Sequence, residues 1–240
     1  EGPSKLKNRI KMERIKTLSL WSGILGFVVV ALGAWTRLAD AGLGCPDWPG
    51  CYGFVTIPVS PEEIDIANSK FPDTPYEVAK AIPEVVHRYF AAALGFMILC
   101  IAFLAFRYKD LPSDVRKLSF FLIAWVIMQG TFGYWTVSLK LWPQVVTTHL
   151  MSGFLTTGLL WLLYFKTKDR LQNRTTWNFG VKTKKLFNIS IALVAIQIFL
   201  GAWTSTNYAS YSCVDFPLCQ GQILPESNFK EGFDFFQSIG

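Results

Sequence analysis

Charge is scarce in this sequence. Asp, Glu, Lys and Arg make up 17% of its 240 residues, against about a quarter in an average soluble domain. Histidine is scarcer still, with two residues in all. Five cysteines are too few for a domain built on disulfides. What stands in place of charge is apolar: 51% hydrophobic and 15% aromatic residues, with a mean hydropathy of +0.31. Such a composition excludes disorder, a coiled coil, a collagen-like chain and a secreted mini-protein.

A bilayer's hydrocarbon core is about 30 Å thick, so a spanning helix needs roughly 20 mostly apolar residues. Five stretches qualify: 18–38, 86–106, 118–139, 145–165 and 186–206. A single such stretch could be a soluble core helix; five in succession argue for an all-α integral membrane protein. The first is too long for a cleaved signal peptide and has no small-residue site after it.

The segments before the first span, between the second and third, and between the fourth and fifth hold 17 of the 23 Lys and Arg but only five of the 17 Asp and Glu. Basic loops stay in the cytoplasm. The expected layout is therefore a basic cytoplasmic N-terminus over 1–17, a four-helix bundle over 18–166 with an outer loop over 39–83, a basic cytoplasmic loop over 167–185, and over 186–240 the first span and outer loop of a second bundle. The net charge of +6 reports orientation. Nucleic acid is not an expected partner, because no basic stripe is interleaved with stacking aromatics.

Sliding the chain by 168 positions sets Leu32-Gly33-Ala34-Trp35-Thr36 on Leu200-Gly201-Ala202-Trp203-Thr204. It also sets Cys45, Asp47, Pro49, Cys51 and Gly53 on Cys213, Asp215, Pro217, Cys219 and Gly221. Span five thus repeats span one, and the unit is a four-helix bundle in parallel repeat. The repeat sets an expectation of eight spans in the native chain, of which the last three would lie past Gly240. A weaker period adds Gly133-x-Trp135-Thr136, with Gln129 and Gln197 each four residues before a glycine of the motif. Interfacial Trp and packing Gly explain part of this; three copies at one depth also suggest a shared pocket near the outer surface.

His87 and His149 both lie in spans that run inward from the outer side, so they sit at similar depth. Ionisable groups in a membrane are costly and usually functional. Two His from two helices of one bundle can supply both axial ligands of a haem. Ala91 and Gly95 below His87, and Gly153 and Thr157 below His149, would leave room for a flat macrocycle; close helix packing is the plainer explanation for such small residues. Glu84 shares a helix face with His87. It fits a proton acceptor or a stabiliser of positive charge, or a first-turn acid facing the helix dipole after Pro83 as helix start. Arg88 fits a contact to a haem propionate, or to lipid head groups.

Cys45 and Cys51 flank a short loop with two prolines and a glycine, and Cys213 and Cys219 flank its repeat. On the outer side disulfides persist. Each pair reads either as a local clamp that shapes a lid or as a thiol pair for redox exchange. A metal site is not expected, since no His lies near. Cys100 is mid-span and reads as an inert thiol.

These markers together resemble the haem A synthases of bacterial and mitochondrial type. The resemblance rests on Trp35-Thr36-Arg37 leading into Gly42-Leu43-Gly44-Cys45-Pro46-Asp47-Trp48-Pro49-x-Cys51. It extends through Glu84-x-x-His87-Arg88, Gln129-x-x-x-Gly133, Pro143-x-Val145-Val146-Thr147-x-His149 and Gly201-Ala202-Trp203-Thr204 with its Cys pair. It implies eight spans in two pseudo-symmetric halves, in a bacterial inner membrane. It implies an oxidoreductase that converts a ring methyl of haem O to a formyl group, with haem O on His87 and His149, Glu84 as the catalytic group, and a haem b cofactor in the C-terminal half. Haem O synthase and cytochrome oxidase assembly factors are the implied protein partners, and a homo-oligomer is left open. Two other classes fit parts of the sequence. A bis-His cytochrome b or haem carrier uses the histidines but not Glu84. A periplasm-facing thiol:quinone oxidoreductase uses the cysteines but not the histidines.

Overall fold

The computed structural model describes residues 3–172, 179–215, 217–223, 225–226 and 228–236. Residues 1–2 of the expected N-terminal segment, 173–178 of the basic connection and 216, 224, 227 and 237–240 of the tail lie outside the described residues. The protein is an all-helical integral membrane protein, with five helices long and apolar enough to cross a bilayer. Helix is the form such runs take in lipid, because it satisfies every backbone N–H and C=O within the segment.

The elements are α1 Pro3–Leu38, α2 Pro61–Lys70, α3 Val78–Arg107, α4 Ser113–Ser138, α5 Pro143–Leu171, α6 Val181–Thr206 and a single turn, α7, Phe229–Gly232. Each expected span lies within one helix or within a residue of its end, but the helices run further. The basic segment over 3–17 is the first part of α1 itself. It stays helical where Lys11 meets Asp110 at 2.6 Å and Arg14 donates to the Tyr108 hydroxyl at 2.7 Å in the α3–α4 turn. The connection expected over 167–185 is shorter. α5 continues to Leu171, where Lys166 and Arg170 reach Asp114 at 3.2 and 2.9 Å. Pro83 does not start a helix, contrary to the sequence reading. α3 begins at Val78, because Ala81 and Val85 are buried beneath the loop that precedes them.

Helices α1, α3, α4 and α5 form a ring in which each touches the next. The diagonal pairs stand apart: among the described residues no Cα of α3 comes within 8 Å of one of α5, nor of α1 with α4. The apolar core fills the basic end of the ring, with Met12, Ile15, Leu94, Ile98, Ile101, Val115, Leu122, Leu160 and Leu163 buried together. The other end is polar and carries the histidines.

That end is covered by residues 39–77. A second small core holds Cys45, Cys51, Tyr52 and Ala67, with Tyr52 edge-on to Phe71 and Tyr76 at 5.6 and 5.3 Å. The cysteine loop is organised by Asp47, which accepts from the backbone N–H of Tyr52 and Gly53 at 2.6 and 2.7 Å. Its repeat is built alike: Asp215 accepts from Gln220 and Gly221 at 2.7 and 2.8 Å. The 168-residue repeat is also visible in contacts. Arg37 donates to Ser205, its own counterpart, and Tyr208 donates to Asp40, its own counterpart, at 3.2 Å. Equivalent residues that touch mark a pseudo-two-fold axis between α1 and α6.

α2 opens on a capping box. Ser60 Oγ accepts from Glu63 N at 3.2 Å, and Glu63 accepts from the N–H groups of Val59 and Ser60 at 2.8 and 3.0 Å. Those two amides hold the Glu63 carboxyl below the usual glutamate range. A depressed acid contributes its stabilisation above the unfolded pKa, about 4.3, and loses it as pH falls through the lower folded value. Amide-exchange protection at Val59 and Ser60 is therefore expected to be steady near neutrality and to drop below pH ~4. In Glu63→Ala it should be low at every pH.

Candidate functional site

Both histidines sit at the polar end of the ring, His87 on α3 and His149 on α5. Those are diagonal helices that do not touch. Each ring lies deep among the helices yet keeps accessible surface, and the two are within electrostatic reach of each other. His87 Nδ1–H donates to the backbone carbonyl of Val29 on α1 at 3.1 Å. His149 Nδ1 meets the amide nitrogen of Gln129 on α4 at 3.2 Å. Among the described residues neither Nε2 has a hydrogen-bond partner. An imidazole nitrogen with no partner in the protein is chemically suited to ligate a metal.

The Gly-x-Trp-Thr motif finds its reason here. Helix carbonyls point toward the residue four positions on, so a side chain at position 33 would screen the carbonyl of Val29. Gly33 has none, and the His87 ring lies where its Cβ would be, with Cε1 3.0 Å from that point. Gly133 repeats the arrangement on α4, with His149 Cε1 at 3.2 Å. Val29 and Gln129 occupy the same place, four residues before each glycine. The expected shared pocket is therefore served by the glycines; Trp35 and Trp135 stay largely exposed. In the third copy, nothing lies within 4 Å of a Cβ at Gly201.

Glu84 and Arg88 form a clasp on the lid. Glu84 Oε2 accepts from Cys45 N–H at 2.9 Å, and Oε1 meets Arg88 at 2.5 Å. Arg88 also donates to the carbonyls of Asp47 and Gly50, at 3.0 and 2.5 Å. The sequence reading gave Arg88 to a propionate or to lipid. In the structure its guanidinium reaches the cysteine loop, which turns two carbonyl oxygens toward α3, with Glu84 of α3 as the third partner. Glu84 is 4% exposed, so its charge needs that pairing. Gly44 lets the loop come this close, since a Cβ there would strike the Lys80 carbonyl.

Cys45 and Cys51 are bonded, S–S 2.05 Å, as are Cys213 and Cys219. Cys100 is a free, half-buried thiol. Of the small residues expected to make room beside the rings, Thr157 instead fills the α1–α5 seam, its Oγ1 2.9 Å from where a Cβ on Gly26 would stand. Nothing lies within 4 Å of a Cβ on Gly95. Two functional groups escape sequence reading: the Val29 carbonyl, which has no residue signature, and Asp47, whose equivalence to Asp215 was a usable sign. Among the described residues no cluster of three or more His, Cys, Asp or Glu could hold a metal ion by itself.

Residues 16–239 match the family model described as cytochrome oxidase assembly protein (COX15-CtaA). The chain is similar to the heme A synthase of Shewanella oneidensis, 41% identical over 217 residues that cover 89% of this chain and 64% of that protein. It is 26% identical to the heme A synthase of Alkalihalophilus pseudofirmus, covering 95% of this chain and 71% of the relative. For the heme A synthase of a Wolbachia species from Brugia malayi the values are 27%, 92% and 71%. The chain thus spans less than two thirds of the length of the Shewanella protein. No solved structure matches.

Gly33→Ala and Gly133→Ala each place a methyl against an imidazole. Overpacking of this kind costs about 1–3 kcal/mol. Gly130→Ala, whose added methyl meets nothing within 4 Å, is the matched control. Thermal unfolding in detergent is expected to fall for the first two variants and to hold or rise for the third.

Proposed function

The chain belongs to the cytochrome oxidase assembly protein family, and on that premise we propose that the protein is a haem A synthase acting on haem O. The observation that carries this reading is the pair of imidazoles at one end of the ring, on the separated helices α3 and α5, each with an Nε2 that has no hydrogen-bond partner among the described residues. Two such rings suit the two axial positions of one porphyrin iron. The substrate would enter between the diagonal helices, above the apolar floor formed by Leu94, Ile98 and Leu160. The lid over 39–77 would exclude water from the reacting edge.

Turning a ring methyl into a formyl group is a four-electron oxidation, by two hydroxylations and loss of water, and its electrons must leave to a separate electron acceptor. Glu84 lies one helical turn from His87 and is the acid–base group nearest to it in sequence. As a carboxylate it would accept a proton or stabilise positive charge at the methyl carbon. Its present bonds to Cys45 and Arg88 make it a hinge between lid and site, so lid position and the carboxylate's freedom are linked. The Lys and Arg asymmetry supports a cytoplasmic N-terminus and an outward-facing lid in the bacterial inner membrane. A reaction that makes haem O would supply the substrate, and assembly of cytochrome oxidase would consume the product.

A second haem, resident beside the substrate, finds no histidine ligands among the residues described. The chain's two histidines both belong to the first ring, and α6, which repeats α1, carries none. No step is assigned to it.

The test supplies haem O to membranes containing the protein and identifies the extracted haems by chromatography. Haem A is the expected product. Haem O returned unchanged, though bound, would assign the protein as a haem carrier. Glu84→Gln keeps an oxygen for the Cys45 amide but loses the charge, so it should bind haem O and leave it unconverted. Undiminished haem A from that variant would remove Glu84 from the chemistry.

A further inference from the structure

The two imidazoles differ in which nitrogen holds the proton, and the following rests on the reading that both face the substrate iron. A neutral imidazole has one N–H, and the nitrogen that carries it has no lone pair to give a metal. His87 Nδ1 faces the Val29 carbonyl, an acceptor only, so the proton is on Nδ1 and Nε2 is bare. His149 Nδ1 faces the amide nitrogen of Gln129, a donor. That end of the amide is identified as nitrogen by a second contact, since it lies 2.9 Å from the His149 carbonyl oxygen and a second oxygen there would be repelled. At the other end Ser152 donates its hydroxyl proton to Gln129 Oε1. Ser152 is itself held in register by Trp125 Nε1, which donates to its carbonyl at 3.2 Å. His149 therefore accepts at Nδ1 and keeps its proton on Nε2, the nitrogen that would meet a metal.

We propose that Gln129, held by Ser152, is a positioning residue that makes His149 the releasable partner of the pair and His87 the fixed one. Ligation by His149 Nε2 requires the proton to move to Nδ1. The Gln129 amide must then turn so that its oxygen accepts from Nδ1. Ser152 can follow, because its hydroxyl also lies 2.7 Å from the Thr148 carbonyl and can accept from the turned amide nitrogen. The bond from Gln129 to the His149 carbonyl is lost, and Ser152 Oγ, 3.1 Å from that oxygen, can serve it only by leaving the Thr148 carbonyl. His87 ligates with no such rearrangement. The side of the iron opposite His87 is thereby the one that opens, which is the side a small co-reactant would reach.

With only two histidines in the chain, ring nitrogen-15 NMR of the ligand-free protein in detergent resolves both tautomers. The expected result is Nδ1–H at His87 and Nε2–H at His149. In Gln129→Leu the His149 signal should lose its Nε2–H preference while that of His87 stays unchanged. Nδ1–H at both rings in the parent, or a His149 signal unmoved by Gln129→Leu, would overturn the proposal. Added haem b gives the second reading. The ratio of six-coordinate to five-coordinate haem should rise several-fold, up to about tenfold, in Gln129→Leu, the size expected for removing one opposing hydrogen bond. An unchanged ratio also overturns the proposal. If haem b binds identically after replacement of either histidine, the ligation reading fails, and the NMR tautomers still report on Gln129 independently.

Discussion

The structure turns on placing two imidazole rings inside a membrane bundle with one nitrogen of each held by a neighbouring helix. An unpaired polar group in a low-dielectric interior is expensive. Each ring therefore takes one partner from the next helix in the ring: a backbone carbonyl for His87, a side-chain amide for His149. Both contacts need a neighbouring helix with no side chain at the point of approach, which is why Gly33 and Gly133 stand there. Those approaches fix α1 on α3 and α4 on α5. The remaining nitrogen of each ring has no hydrogen-bond partner among the described residues.

The rest of the molecule is arranged around the gap between the diagonal helices. At the basic end, aliphatic side chains close the ring as a packed floor. At the other end the lid combines a small core of its own with directed bonds. Asp47 gathers the cysteine loop by two amide N–H groups, and the Glu84–Arg88 pair fastens it to α3. A disulfide that closes so short a loop removes little chain entropy, so the Cys45–Cys51 bond serves shape. The disulfide closes the loop on itself, while the clasp, the Tyr89–Val55 bond and the Trp48–Tyr134 ring contact join lid to bundle. Glu84 thus belongs to both the lid and the histidine helix, and Arg88, its ion-pair partner on that helix, reaches two carbonyls of the lid.

The repeat carries the same logic into the second unit. The Cys213–Cys219 loop copies the first down to the acceptor role of Asp215. Arg37 against Ser205 and Asp40 against Tyr208 place equivalent residues face to face. Among the described long helices α6 packs on α5, meets α1 through Arg37 and Ser205, and leaves most of its apolar surface uncovered by protein. Gln197, on the repeat position of Val29 and the motif position of Gln129, is exposed on that surface.

The sequence by itself determined the five membrane helices, the 168-residue repeat, the shared depth of His87 and His149 and the pairing of cysteines within each loop. These are properties of one dimension: hydropathy over a bilayer's thickness, and spacing along a chain. It also pointed at Gly33, Gly133 and Gln129 through their recurrence, without saying what they face. Only the tertiary structure decided that the histidine helices are diagonal, that Val29 lends a carbonyl, and that Arg88 grips the lid. Pro83 likewise became an interior residue because burial of Ala81 and Val85 under the lid outweighs its usual place at a helix start. Such choices depend on how each helix is rotated about its axis and on which backbone groups its neighbours leave open, and neither quantity is written in any single stretch of residues.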